Sequence, residues 1–231
     1  MIINTHAVTW IFNALSIIVC LFSIVIGFTF YKQLRENKTL IYIPLASIIQ
    51  SLLSLLLYTP NIYYKIENVY SKQLMLVSIY TIIEFVLISQ FLYNDQKNKK
   101  IKEYIKYTSV SIIAIAGIDV ILIKYYDKFL SLQYFSSMEG LLIITYILYN
   151  IIDKLKNIDI NQMFKDSNII AKFGILLSFF IIWPNSLIQI PLFEYAYVFY
   201  KFNFIANSIA YIILFLFFAL SFYAARKTRN T

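Results

Sequence analysis

Residues 74–93 read LMLVSIYTIIEFVLISQFLY, an apolar run with one acid, Glu84, near its middle. As a helix this run is about 30 Å long, the thickness of a bilayer's hydrocarbon core, and Glu84 falls roughly 15 Å from either edge. Ionisable groups at that depth face a bundle interior or a wet cavity rather than lipid. The run therefore predicts a transmembrane helix that belongs to a bundle and turns Glu84 towards its partners.

The rest of the chain repeats this pattern. Of the 231 residues, 60% are hydrophobic and only 14% charged, and the mean hydropathy is +0.70. A soluble domain of this size would present more polar surface, so the composition predicts an all-α, polytopic membrane protein. Apolar runs of about twenty residues place seven spans, at Val8–Phe30, Leu40–Thr59, Leu74–Tyr93, Tyr107–Tyr126, Ser131–Ile152, Ile169–Ile190 and Asn203–Ala224. Connections from under ten to about sixteen residues leave no room for a soluble domain. Residues 1–231 are thus read as a single seven-helix transmembrane domain. The first run is not a removable signal peptide: no basic residue precedes it, and Lys32, Arg35 and Lys38 follow it at once.

Basic residues set the orientation. With alternating crossings, fourteen Lys and Arg fall on one side, concentrated in Lys97–Lys106 and Arg226–Arg229, and five on the other. The positive-inside rule then predicts an outside N-terminus and a cytoplasmic C-terminus, in the inner membrane of a bacterium. Lys172, within a turn of the basic end of span six, is expected to snorkel to the interface. The net charge of +8 is dispersed among loops, without a continuous basic face, which argues for topology and against nucleic acid.

Several chemistries are excluded by residue supply. Cys20 is the single cysteine and lies inside the first run, so no intrachain disulfide forms, and His6 is the single histidine. Neither a zinc constellation nor a Ser/His/Asp triad can be assembled. No cofactor is expected. A retinal-type photoreceptor is set aside because no lysine lies inside the last span.

The candidate site is built from helical spacing. Ser47, Gln50, Ser51 and Ser54 form a stripe on span two. Tyr80 and Glu84 share a face of span three, Asn185 and Gln189 a face of span six, and Asn207 and Tyr211 a face of span seven. With Asn13, Asp119 and Glu139, most of these groups fall in the middle or outer half of the bilayer, where an outward-facing cavity would collect them. Glu84 is expected to hold a proton and donate to a partner such as Gln50, or to meet a cation. Asp119 is expected to pair loosely with Lys124.

Two segments recur. Leu52-Leu53-Ser54 followed by Pro60-Asn61 returns as Leu176-Leu177-Ser178 and Pro184-Asn185, and Phe85 and Tyr93 of span three lie on Phe215 and Tyr223 of span seven. The pattern suggests a three-plus-one-plus-three plan of parallel repeats with span four as connector. Small transporters with a Pro-Gln signature share such a plan, although here the dipeptides are Pro-Asn.

The segments TIIEFVLISQFLY around Glu84, MEGLLIITYILY around Glu139, AKFGILLSFF around Gly174 and the closing NSIAYIILFLFFALSFYAARK resemble those of small seven-helix bacterial membrane proteins. The plan is similar to the membrane modules that precede some sensor kinases. The sequence holds no histidine-bearing dimerisation helix and no ATP-binding domain, so the resemblance implies a signal passed to a separate cytoplasmic protein. The leading expectation is a non-enzymatic sensor or binding module that receives an amphipathic small molecule near Glu84 and Glu139. The alternative is a small-solute or proton-coupled transporter using Glu84. Behind these stand a structural subunit of a membrane complex and an intramembrane hydrolase, the latter lacking a visible nucleophile.

Overall fold

The computed structural model describes the backbone of residues 5–34, 36–64, 69–126, 130–155, 165–192 and 196–227, with side chains for 11–34, 38–53, 76, 79–118, 138–154, 165–185 and 205–226. Among the described residues there are seven α-helices, one 3-10 segment and no strand. The helices are α1 (Thr5–Thr29), α2 (Tyr42–Tyr64), α3 (Val69–Asp95), α4 (Lys99–Tyr126), α5 (Leu130–Leu155), α6 (Ser167–Leu192) and α7 (Ala196–Lys227), and the 3-10 segment is Glu36–Ile41. Each expected apolar run falls mainly on one helix, although Leu40 and Ile41 of the second lie in the 3-10 segment and Phe30 of the first lies just past α1. The largest extensions beyond those runs are at the starts of α4, where residues 99–106 are highly charged, and of α7, where Lys201 interrupts an otherwise apolar and aromatic stretch. Within the described residues, three stretches are long and apolar enough to cross a membrane: Ile11–Thr29, Ser167–Asn185 and Ile205–Arg226.

Local chemistry fixes two helix starts at one end of the bundle. The Asn98 side chain accepts the Lys100 amide at 3.0 Å ahead of α4. Asp166 accepts the Asn168 amide at 2.8 Å ahead of α6. Each satisfies an amide that the first helical turn leaves without a partner.

Consecutive helices pack on one another, and α7 closes the ring against α1. The tightest pair is α6 with α7. Gly174 permits it, since a Cβ there would run into Phe217. One turn on, the Ser178 hydroxyl folds back onto the Gly174 carbonyl at 2.7 Å. This small-xxx-small spacing lets two helices approach where lipid offers no hydrophobic drive between them. Helix α3 touches α2, α4 and α5 and reaches α7 through Tyr211, so it is the strut of the bundle. The core along it is aromatic: Phe85, Phe91, Phe215, Phe218 and Phe222 are all buried.

Helix α1 is peripheral, exposing Ile11, Leu15, Ile18, Phe22, Val25 and Phe28. Asn13 is exposed with them, so it does not join the expected interior constellation. The reason is placement: α1 docks chiefly on α7 and less on α2.

The connection after α1, expected as a basic loop up to Leu40, is in part an apolar plug that takes in the expected start of span two. Leu34, Leu40 and Ile41 are buried, Leu40 and Ile41 lie in the 3-10 segment and not in α2, and that segment touches α1, α2, α3, α6 and α7. Gly27 makes room for it, because a Cβ there would lie 3.0 Å from Ile41 and 3.1 Å from Phe222.

Candidate functional site

Two polar clusters are buried at different depths of the bundle. The first is the one the sequence points to. Glu84 on α3 and Glu139 on α5 are only 3% and 2% exposed, and they lie within electrostatic reach of one another. Their helices are in direct contact. The Tyr211 hydroxyl of α7 donates to Glu84 Oε2 at 3.2 Å and is within reach of both carboxyls. Tyr211 thus donates to Glu84, whereas the expectation had Glu84 donating to a partner such as Gln50.

Around this pair the bonding is incomplete. Glu84 Oε1, Glu139 Oε1, the Tyr80 hydroxyl and Asn207 Oδ1 are buried without a hydrogen-bond partner. Tyr80 lies one turn from Glu84 on α3, and its hydroxyl faces Ser47 and Tyr211 without a bond of standard geometry. The Tyr80 and Tyr211 rings meet edge to face at 6.2 Å, and Phe215 stacks on Tyr211 at 5.9 Å. Gly140, next to Glu139, gives way to Trp183, whose nearest atom would stand 3.1 Å from an added Cβ.

The other expected site residues fare differently. Gln50 and Asn185 are half-buried on α2 and α6. Ser51 is exposed and donates to the Ser47 carbonyl at 2.9 Å, so the serine stripe does not present one continuous face to the interior. A serine bonded to its own helix four residues back has no need of a partner across the bundle. The side chains of Asp119, Lys124, Gln189, Ser54 and Asn61 lie outside the described residues, as do the outer ends of several helices. The mouth of the expected cavity falls there too.

The second cluster was not visible in the sequence. At the basic end, Lys172 of α6 is wholly buried and bonds both Asp95 of α3 and Asn150 of α5. Lys154 of α5 bridges Asp95 and Asp166, each at 3.3 Å, and the Asn168 side-chain Nδ2 donates to Asp95 at 2.5 Å. Two lysines therefore face two aspartates, and both oxygens of Asp95 are occupied. Burial opposes the ionisation of Asp95, yet the charges of Lys172 and Lys154 and the bonds from Lys172 and Asn168 hold its carboxyl below the ordinary 3.8. The snorkelling expected of Lys172 does not occur: its ammonium turns inward because a carboxylate and an amide oxygen are there to receive it.

The clusters are in register along the helix axes. Glu84 and Asp95 are eleven residues apart on α3, and Glu139 and Asn150 are eleven apart on α5. Since Lys172 ties Asp95 to Asn150, the two glutamates share a level about 16 Å along the bundle. Phe85, Ile88, Ile147 and Phe218, all fully buried, belong to the core between. Comparisons with protein-family models, curated proteins and solved structures give no match.

Proposed function

We propose that this chain is a seven-span membrane sensor or binding module, N-terminus outside, which takes a small amphipathic ligand at Glu84 and Glu139 and relays it to a separate cytoplasmic protein. One observation carries the reading: the two helices that hold the underbonded acids, α3 and α5, are the same two that Lys172 clamps together at the basic end. A ligand drawing the acids together moves α3 against α5, and that movement reaches the clamp and the loop beyond it. The apolar plug, with Phe91 and Phe222, favours sensing over passage, since these buried side chains fill the basic end of the bundle. Lys38 over Tyr31, Lys102 over Tyr93 and Arg226 over Phe30 fit a cytoplasmic interface there.

The test is a reporter cysteine at Lys100 in a Cys20→Ser background, reconstituted in nanodiscs. Glu84→Gln with Glu139→Gln, which mimics neutralisation by ligand, is expected to change its maleimide labelling rate several-fold. An unchanged rate removes the relay.

The transporter reading retains one supporting observation. When Tyr80 is laid on Ala210, every buried position from Tyr80 to Leu92 falls on a buried position from Ala210 to Phe222, as parallel repeats would require. Against this, Leu52 is exposed whereas its counterpart Leu176 is buried. Solute flux into liposomes holding the purified chain alone decides between the two.

A further inference from the structure

The acid pair is specific about what it lacks. An ionised carboxylate and an amide oxygen accept hydrogen bonds and never donate them. In the ionised form that a bound cation would favour, Glu84 Oε1 and Glu139 Oε1 join Asn207 Oδ1 as three such acceptors, buried and without a hydrogen-bond partner. No Lys, Arg or His occurs in residues 73–96, 129–153, 173–200 or 202–225, so these stretches of α3, α5, α6 and α7 supply no cation of their own. Lys172 is engaged about 16 Å away. Tyr211 already donates to the other oxygen of Glu84. Asn207 stands one turn from Tyr211 on the same face of α7, as Tyr80 stands one turn from Glu84 on α3.

We infer that the Glu84–Glu139 pair, with Asn207 and Tyr80 beside it, is a binding site for a primary alkylammonium cation. This rests on the proposed binding reading and names its ligand class. A primary ammonium offers three N–H donors around a point charge, equal in number to the three unfilled acceptors, and one positive charge to set between two acids. A quaternary ammonium carries no N–H and would leave all three acceptors unfilled. A guanidinium is a flat fork suited to one carboxylate taken bidentately, not to acceptors drawn from three helices. The crossed rings of Tyr80 and Tyr211 favour a cation electrostatically. Phe215 and Trp183 supply apolar surface for an alkyl chain, so the ligand is amphipathic.

The experiment uses the purified full chain in nanodiscs and reads the thermal unfolding midpoint against n-hexylammonium, with tetramethylammonium and sodium chloride at equal ionic strength. Hexylammonium is expected to raise the midpoint saturably, and the two controls are expected to leave it unmoved. Glu84→Gln and Glu139→Gln each weaken the apparent affinity at least tenfold, Asn207→Leu weakens it several-fold, and Ser111→Ala on the exposed face of α4 leaves it unchanged. Helical circular dichroism without amine verifies that each variant is folded. Equal stabilisation by tetramethylammonium or sodium, or a saturable hexylammonium response that survives in the Glu84→Gln/Glu139→Gln double variant, overturns the assignment. Failure here is separable from failure of the relay. If hexylammonium does not bind while the Lys100 reporter still answers to the glutamine variants, the amine falls and the relay stands; the converse result removes the relay and keeps the amine.

Discussion

Glu84 and Asp95 lie on the same helix and live in opposite circumstances. Asp95 is met by two lysines and an asparagine, and both its oxygens are filled. Glu84 has one tyrosine on one oxygen, nothing on the other, and a second acid for a neighbour. Burying a charge is tolerable when counter-charge and hydrogen bonds are delivered with it, and the basic-end cluster meets that condition while the mid-bundle cluster does not. The contrast separates a polar group that holds the bundle together from one whose partners arrive from elsewhere. A structure retains buried, underbonded acids against their cost when something other than stability requires them.

The largest expected effect breaks the filled cluster. Asp95→Ala strands a buried Lys172 and is expected to cost about 3–5 kcal/mol, read as a drop in the thermal midpoint in detergent. Asp95→Asn combined with Lys172→Met, which removes both charges, recovers most of that loss. A recovery no better than the single variant would show that the pair is not the unit. Acid makes the same point without mutation. Because the Asp95 carboxyl titrates below 3.8, its contribution is complete above that value and disappears as pH falls through the lower folded-state value. Unfolding below pH 3.8 is expected to steepen in the wild type and not in the Asp95→Asn, Lys172→Met variant.

At the unfilled cluster the sign reverses. Glu84→Gln with Glu139→Gln replaces two uncompensated acids by neutral amides of the same shape and is expected to raise stability by on the order of 1 kcal/mol, while the amine response is lost. A loss of several kcal/mol would place this pair with the structural cluster. The smallest effect is expected from Tyr211→Phe, about 0.6 kcal/mol, typical of a single interhelical bond in a membrane. Its diagnostic consequence is a weakened amine affinity at nearly unchanged stability.

How much of this was legible follows from what a bilayer does to sequence. The seven helices were readable because an apolar run of fixed length is sufficient evidence for each, and Glu84 and Glu139 were conspicuous because they interrupt such runs. Which face turns inward was less readable. Lipid is as apolar as the core, so Ile18, which is exposed, and Ile147, which is buried, look alike in sequence, and Ser51 is exposed where the stripe it shares with the half-buried Ser47 and Gln50 read as one face. Lys172, Asp95 and Lys154 sit near helix ends, where a charge looks like a topology signal. Their pairing joins positions as far as 77 residues apart and leaves no local spacing. The plug was hidden for a similar reason, since Arg35 and Lys38 beside Leu34 make that part read as a plain loop, and Leu40 and Ile41 read as the start of span two.

That plug ties the connection after α1 to the seventh helix. Ile41 rests beside Phe222, with Gly27 as the seat between them. The segment has no complete resting place until the seventh helix is inserted. A nascent chain halted before Phe222 therefore leaves Ile41 without one wall of its seat, while α1, α2, α3 and α6 already hold the rest of the segment.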